Sequence, residues 1–231
     1  MKNILITGAN RGLGLGLVKK FLKNNEKVFC TTRNISKSKE LKLLKEKHNN
    51  RLDICELDLL DKDSPNILSN FLVNKPIDLF INNAGVIGQS AQHFKSISLN
   101  PWIEVLKVNL IAPLLITQSI IKNIEKSSEK RIYILSSKVG SIEDNKSGGM
   151  YIYRSSKTAL NQIVKCLSID LKPLGISVIS LHPGWVRTEM GGPNALISVE
   201  ESVNGMFGVI SNTNISNSGQ FLNYDGTEIP W

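Results

Sequence analysis

Asn3-Ile4-Leu5-Ile6-Thr7-Gly8-Ala9-Asn10-Arg11-Gly12-Leu13-Gly14 is the stretch whose reading decides the fold. A short apolar run of strand character stops at Thr7-Gly8, and an amphipathic pattern resumes at Gly14 and runs to Lys23. Between them the glycines at 8, 12 and 14 follow a G-x-x-x-G-x-G spacing. Glycines in such a turn let the backbone bend sharply and approach a pyrophosphate. The helix that follows offers free N–H groups and the positive end of its dipole to an anion. Gly8, Asn10, Arg11, Gly12, Leu13 and Gly14 therefore form a candidate phosphate-binding turn. Gly-rich spacing alone describes many ordinary turns. The strand–turn–helix context makes it a dinucleotide signal.

The same alternation continues along the chain. Apolar runs predict strands over 3–6, 27–31, 52–57, 79–81, 131–135, 176–181 and 220–222. Helical periodicity predicts helices near 14–23, 37–47, 64–74, 101–125, 153–171 and 199–210. Strands separated by helices imply a parallel sheet covered on both faces. Right-handed crossovers then give an α/β, Rossmann-type, doubly wound parallel sheet of seven strands. The 231 residues, 41% of them hydrophobic, fit one large core better than two thin ones. A single domain over 1–231 is expected, with a cofactor half at about 1–125 and a catalytic and substrate half at about 126–231.

Composition excludes several function classes. The net charge is +8, but the lysines are dispersed, densest over 37–47, and no aromatic residues interleave with them. That pattern is a solvated face, so no nucleic-acid partner is expected. The three cysteines, Cys30, Cys55 and Cys166, are far apart and sit in apolar stretches. They read as small core residues of a reducing compartment. No run of about 18 apolar residues suggests a membrane span. The N-terminal apolar run is too short for a signal h-region, so a cytoplasmic protein is expected. His48, His93 and His182 have no ligands at metal spacing, and no metal site is expected. There is no Gly-x-Ser-x-Gly elbow, and no Gly-Lys-Ser/Thr follows the Gly-rich turn. Those absences argue against a hydrolase and a nucleotide triphosphatase of related topology.

The end of the second strand selects among dinucleotides. An acidic residue there binds the adenosine ribose of NAD, whereas a basic one accommodates the 2′-phosphate of NADP. The stretch here is Cys30-Thr31-Thr32-Arg33-Asn34, with no acid. Arg33, with Arg11 from the Gly-rich turn, offers planar guanidinium forks suited to a phosphate. NADP(H) is therefore preferred over NAD(H).

Tyr153-Arg154-Ser155-Ser156-Lys157 places a phenol and an ammonium one helical turn apart. An unperturbed phenol, with a pKa near 10, is a poor proton-transfer group at neutral pH, and a nearby ammonium favours its phenolate. Upstream, the fifth strand ends in Ser136-Ser137, at the edge where open α/β sheets bind ligands. A hydroxyl there can share developing charge on a substrate oxygen. The long pattern containing Asn109 opens at Asn100-Pro101, read as N-cap and N1 proline. Pro113, four residues after Asn109, cannot donate to the Asn109 carbonyl. That carbonyl is then available to anchor a water leading towards Lys157.

Taken in order, the Gly-rich turn, Asn82-Asn83-Ala84-Gly85, Asn109, Ser137, Tyr153/Lys157 and Pro183-Gly184-Trp185-Val186-Arg187-Thr188 resemble the motif series of short-chain dehydrogenases/reductases along essentially the whole chain. The tail, from Gly219-Gln220-Phe221-Leu222 to Ile229-Pro230-Trp231, resembles the branch of C-factor and sniffer-type carbonyl reductases. The resemblance implies an oxidoreductase moving a hydride between NADPH and a carbonyl or alcohol. It implies Tyr153 as general acid/base, with Lys157 lowering its pKa and binding the nicotinamide ribose. Ser137 would polarise the carbonyl and Asn109 would hold the relay water. Asp58, with Leu59, would contact adenine, and Asn82, Asn83, Ala84 and Gly85 would support the adenosine ribose and the sheet. Pro183, Gly184, Val186 and Thr188 would flank the nicotinamide. The segment from Glu189 to Asn194 reaches the next helix quickly, which implies a short lid and an open pocket. Val139, Trp185, Met190 and His93 are candidates to line it. A homodimer, or a homotetramer, pairing through 101–125 and 153–171 is also implied. The alternative is an NADP-binding signalling or scaffold protein of C-factor type with little or no turnover.

Overall fold

A computed structural model describes residues 1–231. Seven strands form one parallel sheet: β1 (Asn3–Ile6), β2 (Lys27–Thr32), β3 (Leu52–Glu56), β4 (Leu79–Asn82), β5 (Arg131–Leu135), β6 (Ser177–His182) and β7 (Phe221–Asn223). Their order is β3-β2-β1-β4-β5-β6-β7. The chain reverses direction across the sheet between β1 and β4, and a ligand crevice opens at such a switch point, beyond the carboxyl ends of the strands. The helices are α1 (Gly12–Lys23), α2 (Lys39–Lys47), α3 (Ser64–Phe71), α4 (Leu99–Leu106), α5 (Ala112–Glu125), α6 (Tyr151–Asp170) and α7 (Val199–Asn212).

Period-two alternation within each strand builds two cores from one sheet. In β1, Ile4 and Ile6 face α1 and α7, while Leu5 faces α3, α5 and α6. Val28 and Cys30 against Phe29, and Leu79 and Ile81 against Phe80, repeat the division. Both strand faces are therefore apolar, which is why the strands read as short continuous runs.

Four local features depart from the sequence reading. The third helix ends at Phe71 rather than 74, and the chain then turns through Asn74 at φ +57°. The long helix opens at Leu99, with Ser98 before it, so Pro101 lies inside the first turn, where its missing N–H has no helical partner. Lys107–Ile111 forms a π turn just ahead of Pro113, with the Ala112 N–H donating five residues back to Lys107. Asn109 sits in that turn, an irregularity found often at functional sites. Cys166 is exposed on the outer side of α6, whereas Cys30 and Cys55 are buried. Helical periodicity buries Val164 and Leu167 on either side of it and turns Cys166 outward.

Residues 99–125 are long and apolar enough to cross a bilayer by length and composition. In the fold they serve the core, with Ile116, Ile120 and Ile124 fully buried against the sheet. Helix α2 buries only Leu41, consistent with a lysine-rich solvated face.

Candidate active site

A cleft of about 540 Å³ opens at the carboxyl ends of β1, β2, β4 and β5. Of the residues expected to bind cofactor, it brings together Gly8, Asn10, Arg11, Gly12, Leu13, Gly14, Arg33, Asp58, Leu59, Asn83, Ala84, Gly85, Tyr153, Lys157, Pro183 and Thr188. Asn82, Gly184 and Val186 lie behind this wall. Asn82 is buried at the end of β4, and its Oδ1 accepts a hydrogen bond from the Thr7 hydroxyl. Val186 is buried and bridges to Ile197, and Gly184 turns at φ +83° against Ile197 and Tyr224.

The Gly-rich turn is held by a polar net. Thr7 Oγ1 accepts hydrogen bonds from the Asn83 and Ala84 N–H groups, each at 3.1 Å. The Asn83 side-chain amide donates to the carbonyls of Thr7 and Gly8 at 2.8 and 2.9 Å. Asn83 and Ala84 thus act first as a clamp joining β1 to β4. Gly14 sits inside this clamp, where a Cβ would lie 2.3 Å from the Gly8 carbonyl oxygen and 2.6 Å from Asn83 Nδ2. Across the cleft, a Cβ on Gly12 would come within 3.4 Å of Thr188 Cγ2, so the Pro-Gly segment closes over the turn. This is a cradle whose width depends on absent side chains, as a bound pyrophosphate requires.

At the end of β2, Arg33 is exposed on the cleft wall, and no acid stands beside it. Asp58 is exposed, and its Oδ1 caps the following turn by accepting from the Leu60 N–H at 3.0 Å. Arg11 forms an ion pair with Glu189, a residue of the same cleft wall. Its guanidinium is therefore shared with a carboxylate rather than left free. The sequence reading gave Glu189 no role, because nothing local links it to a residue 178 positions away, counting from Arg11 to Glu189.

The phenol and the ammonium share the inner wall. Burial pushes the Tyr153 phenol up to about 12, and hydrogen bonding with the Ser137 hydroxyl pulls the other way. Lys157 is buried, and its Nζ donates to the Leu135 carbonyl at 2.9 Å. Burial lowers its ammonium to about 8. Nζ lies 5.8 Å from the centroid of the Tyr153 ring. In this arrangement burial sets the direction of the phenol's shift, opposite to the expected lowering by Lys157, whose ammonium is turned towards the Leu135 carbonyl. At neutral pH the phenol keeps its proton and the lysine is mostly charged.

Asn109 is fully buried, and its side chain is committed to Val86. Oδ1 accepts from the Val86 N–H, and Nδ2 donates to the Val86 carbonyl, both at 2.8 Å. Nδ2 also donates to Ser156 Oγ at 3.1 Å. With both amide protons used, any reach towards Lys157 falls to the backbone carbonyl of the π turn. Ser136 lines the cleft, and its buried Oγ has no protein partner. Such a buried orphan on the cleft wall fits a polar ligand atom. Ser137, Ser136's neighbour, lies outside the wall, and its hydroxyl acts on the phenol by pulling its pKa down against burial.

On the substrate side, Met190 lines the cleft, while Val139, Trp185 and His93 do not. The Val139 carbonyl accepts from Arg154 at 3.1 Å. The Trp185 indole is half exposed and donates to the Gly191 carbonyl at 2.8 Å, bracing the turn that carries Met190. His93 is exposed on the loop after β4. Between β6 and α7 the chain makes turns but no helix, so the lid is short. Val86, Glu104 and Val108 also line the cleft and carried no motif signal. Val86 follows Gly85 and Val108 precedes Asn109, and packing of α4 and the π turn against the loop after β4 brings Glu104 and Val108 to the cleft. His182, lowered to about 4 chiefly by burial, leaves Nδ1 without a partner beneath the site.

Comparison with known proteins agrees with this geometry. Residues 2–196 match the family model for short chain dehydrogenase. The chain is 40% identical to the C-signal protein of Myxococcus xanthus over 156 residues, spanning 68% of this chain and 93% of that one. The carbonyl reductase Sniffer of D. melanogaster superposes over 100% of both chains, with a TM-score of 0.95 and 36% identity. The NADPH-bound carbonyl reductase from chicken fatty liver gives a TM-score of 0.92 and 36% identity, covering 100% of this chain and 99% of its own. With a family model matching most of the chain and solved carbonyl reductases superposing over its whole length, the chain belongs to the short-chain dehydrogenase/reductase family of oxidoreductases, in the branch of C-signal and Sniffer-type carbonyl reductases.

Proposed function

We propose that this chain transfers a hydride between NADPH and a carbonyl or alcohol substrate. The observation that carries the reading is one cleft lined by the Gly-rich turn, Arg33, Tyr153 and Lys157 together. NADPH would supply the hydride; the protein binds, orients and handles the proton. Gly8 to Gly14 and Thr188 would hold the pyrophosphate, and Arg33 the 2′-phosphate. Ser137 would hydrogen-bond the substrate oxygen and share its developing charge. Tyr153, which keeps its proton at neutral pH, would donate it from the phenol to that oxygen. Lys157 would stabilise the resulting phenolate, and the Asn109 carbonyl would guide a water that restores the proton. Reduction consumes the protonated phenol, and stabilisation of its phenolate by Lys157 would offset the burial that raises it.

Two measurements test this reading. Arg33→Ala is expected to weaken NADPH binding by roughly 10–100-fold, the worth of a charge-assisted phosphate contact. NADH affinity should stay within about twofold. Fluorescence titration of both cofactors reads the difference, and an equal effect on both, or none on either, removes the 2′-phosphate site from Arg33. The second measurement is a pH profile. Reduction needs the phenol protonated and Lys157 charged; the lysine, lowered to about 8, is the first of the two to lose its proton as pH rises. The kcat/KM for reduction is therefore expected to hold below about 8 and fall by about tenfold per pH unit above it. A profile that stays flat to pH 10 contradicts this role for Lys157.

The C-signal relative, at 40% identity, motivates a second reading: an NADP-binding signalling or scaffold protein with little turnover. Asn109, Ser137, Tyr153 and Lys157 all retain their reactive side chains, which weighs against it. Failure to oxidise NADPH with any member of a broad carbonyl panel would favour it. A cytoplasmic homodimer, or a homotetramer, goes with the enzyme reading; Ile111 and Leu115 of the long helix and Ile169 of α6 are exposed on the faces that would pair. Light scattering on the purified protein reads the oligomeric state.

A further inference from the structure

The loop that leaves β4 returns to the catalytic helix through a single buried side chain, that of Gln92. Its Oε1 accepts a hydrogen bond from the backbone N–H of Tyr153 at 2.9 Å. Its Nε2 donates to the carbonyls of Ile87 and Gln89 at 2.8 and 2.9 Å. Both amide protons and one acceptor site are thereby used, and the orientation of the amide is dictated by its partners. The Gln92 carbonyl also accepts from the Tyr151 N–H at 3.4 Å.

Helix α6 needs this help. The first N–H groups of any helix lack intrahelical partners and are normally met by a Ser, Thr, Asp or Asn at the N-cap. Here the N-cap is Met150, left-handed at φ +49° and with no side-chain oxygen to offer. Gln92 supplies the missing acceptor from 61 residues upstream, to the backbone of Tyr153 itself. The loop behind it is confined: a Cβ on Gly88 would lie 2.7 Å from Val105 and 3.3 Å from Ile152. The other end of the loop is gripped at Val86 by Asn109. The segment from Val86 to Gln92 therefore runs taut between Asn109 and the first turn of α6.

We infer that Gln92 is a positioning residue, capping α6 through the Tyr153 N–H and so holding the phenol in register with Ser137 and the loop after β4. This rests on Tyr153 being the general acid of the proposed reaction. A misplacement of about 1 Å at a reacting group costs on the order of 100-fold in rate. Gln92→Ala is thus expected to lower kcat by about 10–100-fold, with the Kd for NADPH within about twofold of wild type, since Gln92 does not line the cleft. Gln92→Glu keeps the acceptor for the Tyr153 N–H but loses both amide donors to Ile87 and Gln89, and is expected to recover part of the lost kcat.

A Gln92→Ala enzyme with unchanged kcat overturns the inference. So does a kcat loss matched by an equal loss of NADPH affinity, which marks a general structural defect. If Gln92→Ala does not fold, Gln92→Met, which keeps the side-chain length and removes the acceptor, takes its place: a lowered kcat with NADPH affinity kept supports the inference, and an unchanged kcat overturns it. Amide hydrogen exchange at Tyr153 separates failure here from failure of the reductase reading. Exchange should quicken by roughly tenfold or more in Gln92→Ala and stay slow in Gln92→Glu. Unchanged protection in Gln92→Ala sinks the clamp whether or not the wild-type protein reduces any carbonyl. A wild-type protein inactive on every carbonyl, with exchange behaving as expected, sinks the reductase reading and leaves the clamp.

Discussion

Tyr153→Phe is expected to lower NADPH-dependent turnover by about 10²–10⁴-fold, the contribution typical of a positioned general acid, while NADPH binding stays within about twofold. The substitution removes one oxygen and leaves the ring in place. The ring is what packs, and the backbone N–H that Gln92 caps is untouched. The lost oxygen holds the proton that burial keeps on the phenol up to about 12. No other hydroxyl on α6 replaces it: Ser155 Oγ donates to the Ile152 carbonyl, and Ser156 Oγ donates to the Tyr153 carbonyl while accepting from Asn109. Tyr151 is two residues away on the helix, so its ring projects to another side, against Phe94. Steady-state kinetics on an active carbonyl, paired with cofactor titration, reads both halves of the expectation. Undiminished turnover would falsify Tyr153 as the acid, and loss of NADPH binding in parallel would mean that the ring, not the proton, was the important part.

Gly14→Ala is expected to have the largest effect on stability and binding together. The added Cβ has nowhere to go: the Gly8 carbonyl stands at 2.3 Å, Asn83 Nδ2 at 2.6 Å and Ala9 Cα at 2.9 Å. Two of these three are backbone atoms, and the third is an amide already donating to Thr7 and Gly8. Relief therefore requires α1 to move off β1 or the Asn83 clamp to break. Overpacking of this kind costs about 1–3 kcal/mol or more. For a chain of this size that is a fall in Tm of roughly 2–12 °C. Because α1 points its N-terminus into the cradle, NADPH affinity should drop by at least about tenfold. Gly208→Ala is the internal control, since its Cβ meets nothing within 4 Å. There alanine should be neutral or stabilising by up to about 1 kcal/mol, the helix-propensity gain. Thermal melts of both variants test the argument. A Gly14→Ala protein as stable as Gly208→Ala means the turn is more pliable than the packing implies.

The two predictions draw on different layers of the molecule. Tyr153→Phe concerns a proton, and Gly14→Ala concerns a shape. Both residues were legible as motifs because their context is local: a strand, a turn and a helix within a dozen residues, or a phenol and an amine one helical turn apart. Arg33, the proposed 2′-phosphate partner, was legible for the same reason, standing at the end of β2 with no acid beside it. The substrate wall was harder. Met190 lines the cleft, but Val139 and Trp185 do not, because Trp185 is held by its indole to the Gly191 carbonyl. Side-chain direction in an irregular segment follows from its hydrogen bonds and is not carried by periodicity.

Residue order and apolar periodicity by themselves determined the seven-stranded sheet, the Gly-rich turn at its first crossover and the identity of the candidate acid, because each depends on neighbours close in the chain. Tertiary structure alone decided the upward shift of the Tyr153 phenol, the pairing of Arg11 with Glu189, the commitment of Lys157 to Leu135 and the capping of α6 by Gln92. Those four depend on burial and on distances between residues far apart in sequence, and neither quantity exists until the sheet has closed and the loops have packed upon it.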